Sequence, residues 1–171
     1  MSVLDAIRKR RAVRQFTDQP VADEVIRAIL EAGGRSQSSK NTQPWRFVVV
    51  REKATLTALA ALGDYAGHLA GAAFAVVLVG SKESTWNSFD LGQAAAYLQL
   101  AAHELGVGSC IAAIYRADEA KTLLGIPSER SVFCAISFGY PSPQDKPARL
   151  GGRRSLNDVV SWERWLEKSD E

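Results

Sequence analysis

Ser36-Gln37-Ser38-Ser39-Lys40-Asn41-Thr42-Gln43-Pro44-Trp45-Arg46-Phe47 leads without a break into Val48-Val49-Val50. The first half is a polar loop with hydroxyls, amides and a lysine; the second is an apolar run that reads as a buried strand over Trp45 to Arg51. A loop at the mouth of a buried strand is anchored at one end. Its donors suit a polar, flat ligand. Serine and asparagine also satisfy the backbone of ordinary turns, so the same residues equally suit a capped turn between a helix and a strand.

Working outward, Ser2 with Asp5 reads as a helix start. A second helix fits Ala22 to Ala32, where Val25, Ile26, Ile29 and Leu30 fall at helical spacing before Gly33-Gly34. A helix around Leu56 to Leu62 precedes a strand over Phe74 to Val79. The longest helix, from about Ser88 to about Leu105, carries Leu91, Ala94, Ala95, Leu98, Ala101 and Ala102. Such a wide face of small apolar residues belongs in a core or at a tight subunit interface. Ser109 to Ile114 and Val132 to Phe138 read as strands around a short helix at Asp118 to Leu124, and a last helix is predicted around Val159 to Leu166. Helices and strands alternate, but the strands are few and short. That predicts an α+β sandwich, one domain over residues 1–171, rather than a doubly wound sheet. The dinucleotide fingerprint is missing: Gly106-Val107-Gly108 lacks a third glycine and precedes a strand.

A net charge of +2 on 171 residues is too mild to name nucleic acid as the partner. Cys110 and Cys134 sit in apolar runs and read as buried, reduced thiols. Two cysteines and two histidines offer no zinc spacing. His68 and His103 read as structural or exposed, His103 lying away from the other motifs. The amino terminus has no h-region and no run approaches a membrane span, so the cytosol is the expected compartment.

Three further elements bear on chemistry. Arg8, Lys9, Arg10, Arg11 and Arg14 place five cations in seven residues, suited to a phosphorylated ligand, to nucleic acid, or to the solvated end of a helix. Gly106-Val107-Gly108-Ser109 either lets backbone approach a flat ring or caps a helix before a strand. Gly139-Tyr140-Pro141 is followed by a proline-rich loop to Pro147 and by Arg149, Arg153 and Arg154, which can return cations to the same anion.

In this order the elements resemble the flavin-dependent nitroreductase family. Arg10-Arg11-x-x-Arg14-x-Phe16 together with Asn41-x-Gln43-Pro44-Trp45-Arg46-Phe47 carries the resemblance, which extends from Ile7 to Val160; Asp90-x-Gly92 and the alanine-rich helix look like the family's central dimer helix. The resemblance implies a nitroreductase-like fold: a mostly antiparallel central sheet flanked by helices, with that long helix at a homodimer interface. It implies two FMN sites shared across the interface. Arg10, Arg11, Ala12 and Arg14 would contact FMN from one subunit, with Arg153 and Arg154 adding phosphate contacts. Ser38, Ser39 and Asn41 would approach from the partner, and the backbone of Ala112 and Ala113 would lie against the ring. NADH or NADPH would be the electron donor, in a ping-pong cycle with a small-molecule acceptor such as a nitroarene or quinone. Arg14 and Lys40 would stabilise anionic reduced flavin, and no side chain stands out as a catalytic acid.

Two departures bear on substrate choice: Ala12 stands where the family often has serine, and Ser36-Gln37-Ser38 where it often has Ala-Pro-Ser. The chain is short, so lid-like insertions are expected to be reduced. Other reductive enzymes on this scaffold, dehalogenating or flavin-consuming, and an FMN-binding protein that no nicotinamide turns over, stay open as alternatives.

Overall fold

A computed structural model describes residues 2–81, 85–147 and 152–167. Ser2 opens α1 (Val3–Lys9) by accepting the Asp5 N–H at 3.2 Å. Then come α2 (Asp23–Gly34), a 3-10 turn at Ser39–Asn41, β1 (Arg46–Val50), α3 (Lys53–Ala60) and a second 3-10 turn at Gly67–Leu69. The chain continues through β2 (Phe74–Ser81), α4 (Thr85–Glu104), β3 (Gly108–Ala112), α5 (Ala117–Leu124), β4 (Arg130–Gly139) and α6 (Leu156–Val159).

The strands form one antiparallel sheet in the order β1-β2-β4-β3. Its inner strand β2 explains the pattern of its own sequence. Phe74, Val76 and Leu78 pack on one face with Ile29, Leu91, Leu98 and Phe138; Ala75, Val77 and Val79 pack on the other with Leu56, Leu59, Leu69 and Ala135. A strand covered on both faces shows a continuous apolar run rather than alternation. Phe74 and Phe138 stack across neighbouring strands with centroids 4.8 Å apart.

Helix α4 decides where functional residues can sit. Leu91, Ala94, Ala95, Leu98 and Ala102 bury one side of it against the sheet and α2. The packing there leaves no room at Gly33, where a Cβ would stand 2.6 Å from the Leu98 side chain. On the other side of α4, Phe89, Ala96 and Tyr97 are exposed, and Leu100 and Ala101 are half-buried beside α1. The helix stops in a Schellman turn: Gly106 takes φ 75° and the Val107 N–H reaches back to the Ala102 carbonyl at 2.8 Å.

The last helix departs from the sequence expectation. A helical turn forms at Leu156–Val159, not over Val159 to Leu166. Ser155 and Asp158 cap each other reciprocally, which fixes the start, and Val160 is already extended at φ −117° and ψ 126°. Beyond it Trp162 and Trp165 are 78% and 83% exposed, so no core holds this stretch helical. Among the described residues no helix is long and apolar enough to cross a membrane, and no cluster of three or more His, Cys, Asp or Glu side chains could hold a metal.

Candidate functional site

The basic run is a helix end followed by a strap: Arg8 and Lys9 lie in the last turn of α1, and Arg11 and Arg14 lie beyond it. Helix α1 stops at Lys9, and Arg10 caps it by donating its N–H to the Ala6 carbonyl at 2.9 Å. The chain then runs extended over the edge of β3 and the end of β4. The Val13 N–H donates to the Ser109 carbonyl at 3.0 Å, and the Thr17 N–H to the Tyr140 carbonyl at 2.9 Å. Val13 and Phe16 press onto Gly108 and Gly139, which face each other across β3 and β4. A Cβ on Gly108 would lie 2.8 Å from the Val13 Cβ. Gly108 therefore makes room for Val13, and Gly106 ends a helix; the open reading in which these glycines admit a flat ring gives way to these two roles.

Asp145 fastens the strap from the proline-rich loop. Its side chain is 3% exposed. It accepts the Arg14 N–H at 2.8 Å, the Gln15 N–H at 2.9 Å and an Arg11 guanidinium N–H. Burial alone would raise its pKa. The Arg11 bond, the two backbone donors and the Arg11 charge outweigh burial and hold the carboxyl below its usual value. Arg11 is thus committed within the protein.

Two hollows follow one another along the strap and β3. The first, about 230 Å³, is lined by Lys9, Arg10, Arg11, His103 and the turn from Gly106 to Ser109. Its His103 Nε2 is buried and has no hydrogen-bond partner among the described residues. His103 therefore does not stand apart from the other motifs: the length of α4 carries it back to the strap. The cations in that lining suit a compact anion.

The second hollow, about 580 Å³, is lined by Arg14, Gln15, Tyr65, Gly67, His68 and Ile111. Sequence reasoning missed His68 here; it sits in a short 3-10 turn far from the strap in sequence, and no spacing announces it. Its Nδ1 lies 2.8 Å from Ser137 Oγ, which in turn donates to the Cys110 carbonyl at 3.3 Å. Both contacts hold together only if His68 Nδ1 carries a proton, since the hydroxyl has one to give. Burial first, and the Arg14 charge second, lower the His68 pKa against the opposing pull of the Ile111 backbone. Burial also raises the thiol of Cys110 against the pull of Arg14 and Arg10, and pushes that of Cys134 up to about 12. Neither is a thiolate nucleophile at neutral pH.

The polar loop that enters β1 lies elsewhere. The Ser39 N–H donates to buried Asp90 on α4 at 3.1 Å, Gln37 Nε2 to Gln93 at 2.6 Å, and the Gln43 N–H to Ser38 Oγ at 3.0 Å. Lys40, Asn41 and Gln43 take φ of 51°, 55° and 48°. Left-handed backbone at non-glycine residues costs roughly 1 kcal/mol or more each and gathers at ligand-binding segments. Asp90 and His103 stand about 20 Å apart along α4 at 1.5 Å per residue. The loop is thus tied near the first turns of α4, and the strap lies by its last turn.

Sequence patterns of the Nitroreductase family match residues 7–66 and 59–140. The chain belongs to the nitroreductase family. It is 31% identical to a candidate NADH dehydrogenase/NAD(P)H nitroreductase of Archaeoglobus fulgidus, over 95% of this chain and 98% of that one. It is 29% identical to an NADH dehydrogenase of Thermus thermophilus, again over 95% and 98%. In three dimensions it is similar to an FMN-dependent nitroreductase of Clostridium difficile, with a TM-score of 0.85 at 30% identity, covering 95% of this chain and 99% of that one.

The expected nitroreductase site residues fall into three groups. Arg10, Arg11, Ala12 and Arg14 lie on the strap, and Ala112 and Ala113 follow at the end of β3. The Ala112 side chain is buried in the core, and the Ala113 carbonyl is closely packed: a Cβ at Gly63 would come within 2.1 Å of it. Ser38, Ser39 and Asn41 form the distant loop. Arg153 and Arg154 lie on the exposed segment before α6 and line neither hollow. Arg149 lies outside the described residues.

The glycine under the strap gives a direct check of this geometry. Gly108→Ala should lower stability by about 1–3 kcal/mol, because Val13 must shift. Gly34→Ala, where a Cβ meets nothing within 4 Å, should cost nothing. Urea midpoints of the two variants test it. Equal midpoints would mean that Val13 does not hold the strap down.

Proposed function

We propose that this nitroreductase is an FMN-dependent oxidoreductase that takes electrons from NADH or NADPH and reduces small electrophilic acceptors such as nitroarenes and quinones, as a homodimer with two shared flavin sites. The observation that carries the reading is the first hollow. Lys9, Arg10 and His103 line it, and the Arg14 cleft opens next along the strap. That donor set fits a phosphate followed by a polar ring. When bound, FMN supplies hydride chemistry, accepting a pair of electrons from the nicotinamide and passing it to the acceptor.

The chain's own residues bind and orient. Lys9 and Arg10 receive the phosphate beside His103, and Arg153 and Arg154, which line neither hollow in one chain, would reach a phosphate only through movement or across the dimer. Arg14 meets the polar edge of the ring with a fixed positive charge, which favours an electron-rich ring. The backbone of Ala112 and Ala113 closes one side. His68 lines the same cleft. Ser38, Ser39, Asn41 and Lys40 serve the partner's site.

The uncovered side of α4 supports the dimer. With α1 it walls an apolar hollow of about 660 Å³ that includes Val3, Ile7, Tyr97, Leu100 and Ala101. A second copy packed antiparallel along α4 would cover that surface and bring each loop to the other chain's strap.

The purified protein is expected to be yellow, and NADPH or NADH added without oxygen is expected to bleach it. A colourless protein that takes up no added FMN defeats the proposal. Colour without bleaching leaves an FMN-binding protein that nicotinamide does not turn over.

A further inference from the structure

Arg11 stands in the family's flavin-binding run, yet its guanidinium is bonded to a carboxylate of the protein itself. Asp145, held in a loop 134 residues away in sequence, receives it together with the Arg14 and Gln15 N–H groups. The same loop grips the strap once more, the Ser142 N–H donating to the Gln15 carbonyl at 2.9 Å. A second Arg11 N–H bond, to the Ala12 carbonyl at 3.2 Å, ties the guanidinium back to its own backbone. Every one of these bonds converges on residues 11 to 15, and the Arg14 side chain emerges from the middle of them into the His68 cleft.

We infer that Asp145 and Arg11 are a positioning pair: they set the backbone from which Arg14 reaches the flavin ring, and Arg11 is not a phosphate ligand. This rests on the FMN reading above. A buried carboxylate that collects a guanidinium and two consecutive backbone N–H groups fixes both the direction and the height of the peptide between them. Removing either partner leaves the other charge unpaired in a half-buried site and frees the strap over several residues. Arg14 then has to be ordered when the ligand arrives instead of beforehand, and that ordering weakens binding.

FMN and riboflavin separate this role from direct phosphate contact, because riboflavin has the ring and no phosphate. Binding of each is measured by quenching of flavin fluorescence on refolded or flavin-stripped protein. Asp145→Asn and Arg11→Ala are each expected to weaken FMN and riboflavin by the same factor, roughly three- to tenfold. The double variant is expected to be no weaker than the worse single, since the two side chains act as one unit. Arg10→Ala, the control, is expected to weaken FMN far more than riboflavin. If Asp145→Asn does not fold, Arg11→Ala carries the test, its side chain being 39% exposed and outside the core.

Loss confined to FMN in Arg11→Ala would make Arg11 a phosphate ligand and overturn the inference. Unchanged affinity for both flavins in Asp145→Asn would overturn it as well, leaving the loop a purely structural tie. A wild-type chain that binds neither flavin brings down the FMN reading itself, a result distinct from either.

Discussion

Ala96→Glu should give a folded monomer that holds no flavin. Ala96 is exposed near the middle of α4, on the side that carries exposed Phe89 and Tyr97. Alanine to glutamate costs a helix little, so the subunit should keep its fold. In a two-fold interface a central residue meets its own copy. Two glutamates brought together there, with no cation beside them on the Phe89, Ala96, Tyr97 and Ala101 surface, cost several kcal/mol of association. Flavin should leave with the partner because Ser38 to Asn41 and the Arg10 to Arg14 strap sit at opposite ends of α4. Light scattering gives the mass and the flavin-to-protein absorbance ratio gives occupancy. A monomer that keeps its flavin would show that one chain suffices; an intact dimer would place the interface elsewhere.

The architecture was legible where one physical cause dominates. The run from Phe74 to Val79 is apolar at every position because both faces of β2 are covered, and it reads as a strand under any weighting. The alanines of α4 declared close packing, but apolar residues on both sides of a helix do not say which neighbour lies within the chain. The end of the chain was misread. Trp162 and Leu166 have helical spacing but both side chains are exposed, while Ser155 and Asp158, three residues apart, carried the start signal.

The candidate site divides in the same way. The cations of the strap and the polar loop are contiguous in sequence and were found there. His103, His68 and Asp145 reach the site only through tertiary structure: one at the far end of a long helix, one in a short turn before β2, one in a proline-rich loop. Gly108 was visible but open to two readings, because a glycine shows that space is needed and not what fills it.

Arg14→Ala should weaken FMN binding by about 10- to 100-fold, the worth of the charge-assisted hydrogen bonds that one guanidinium supplies. Arg14 is exposed, its backbone is held by Asp145 whatever its side chain, and it lines the cleft with His68. The substitution therefore removes the group without removing its support, and the melting temperature should hardly change. A second readout needs no ligand. Arg14 lowers the His68 pKa, though less than burial does. Taking the guanidinium away should let that pKa rise while burial keeps it below 6.5. The window in which His68 protonates moves upward in pH, toward neutrality. With two histidines in the chain, a proton NMR titration of flavin-free protein resolves the shift. Arg14→Lys should return the His68 pKa most of the way, because charge is what His68 feels. It should restore FMN affinity less, because an ammonium lacks the planar pair of donors. Wild-type affinity in Arg14→Ala would remove Arg14 from the flavin site. A loss of affinity with no movement of His68 would place the guanidinium outside the cleft that the two residues share.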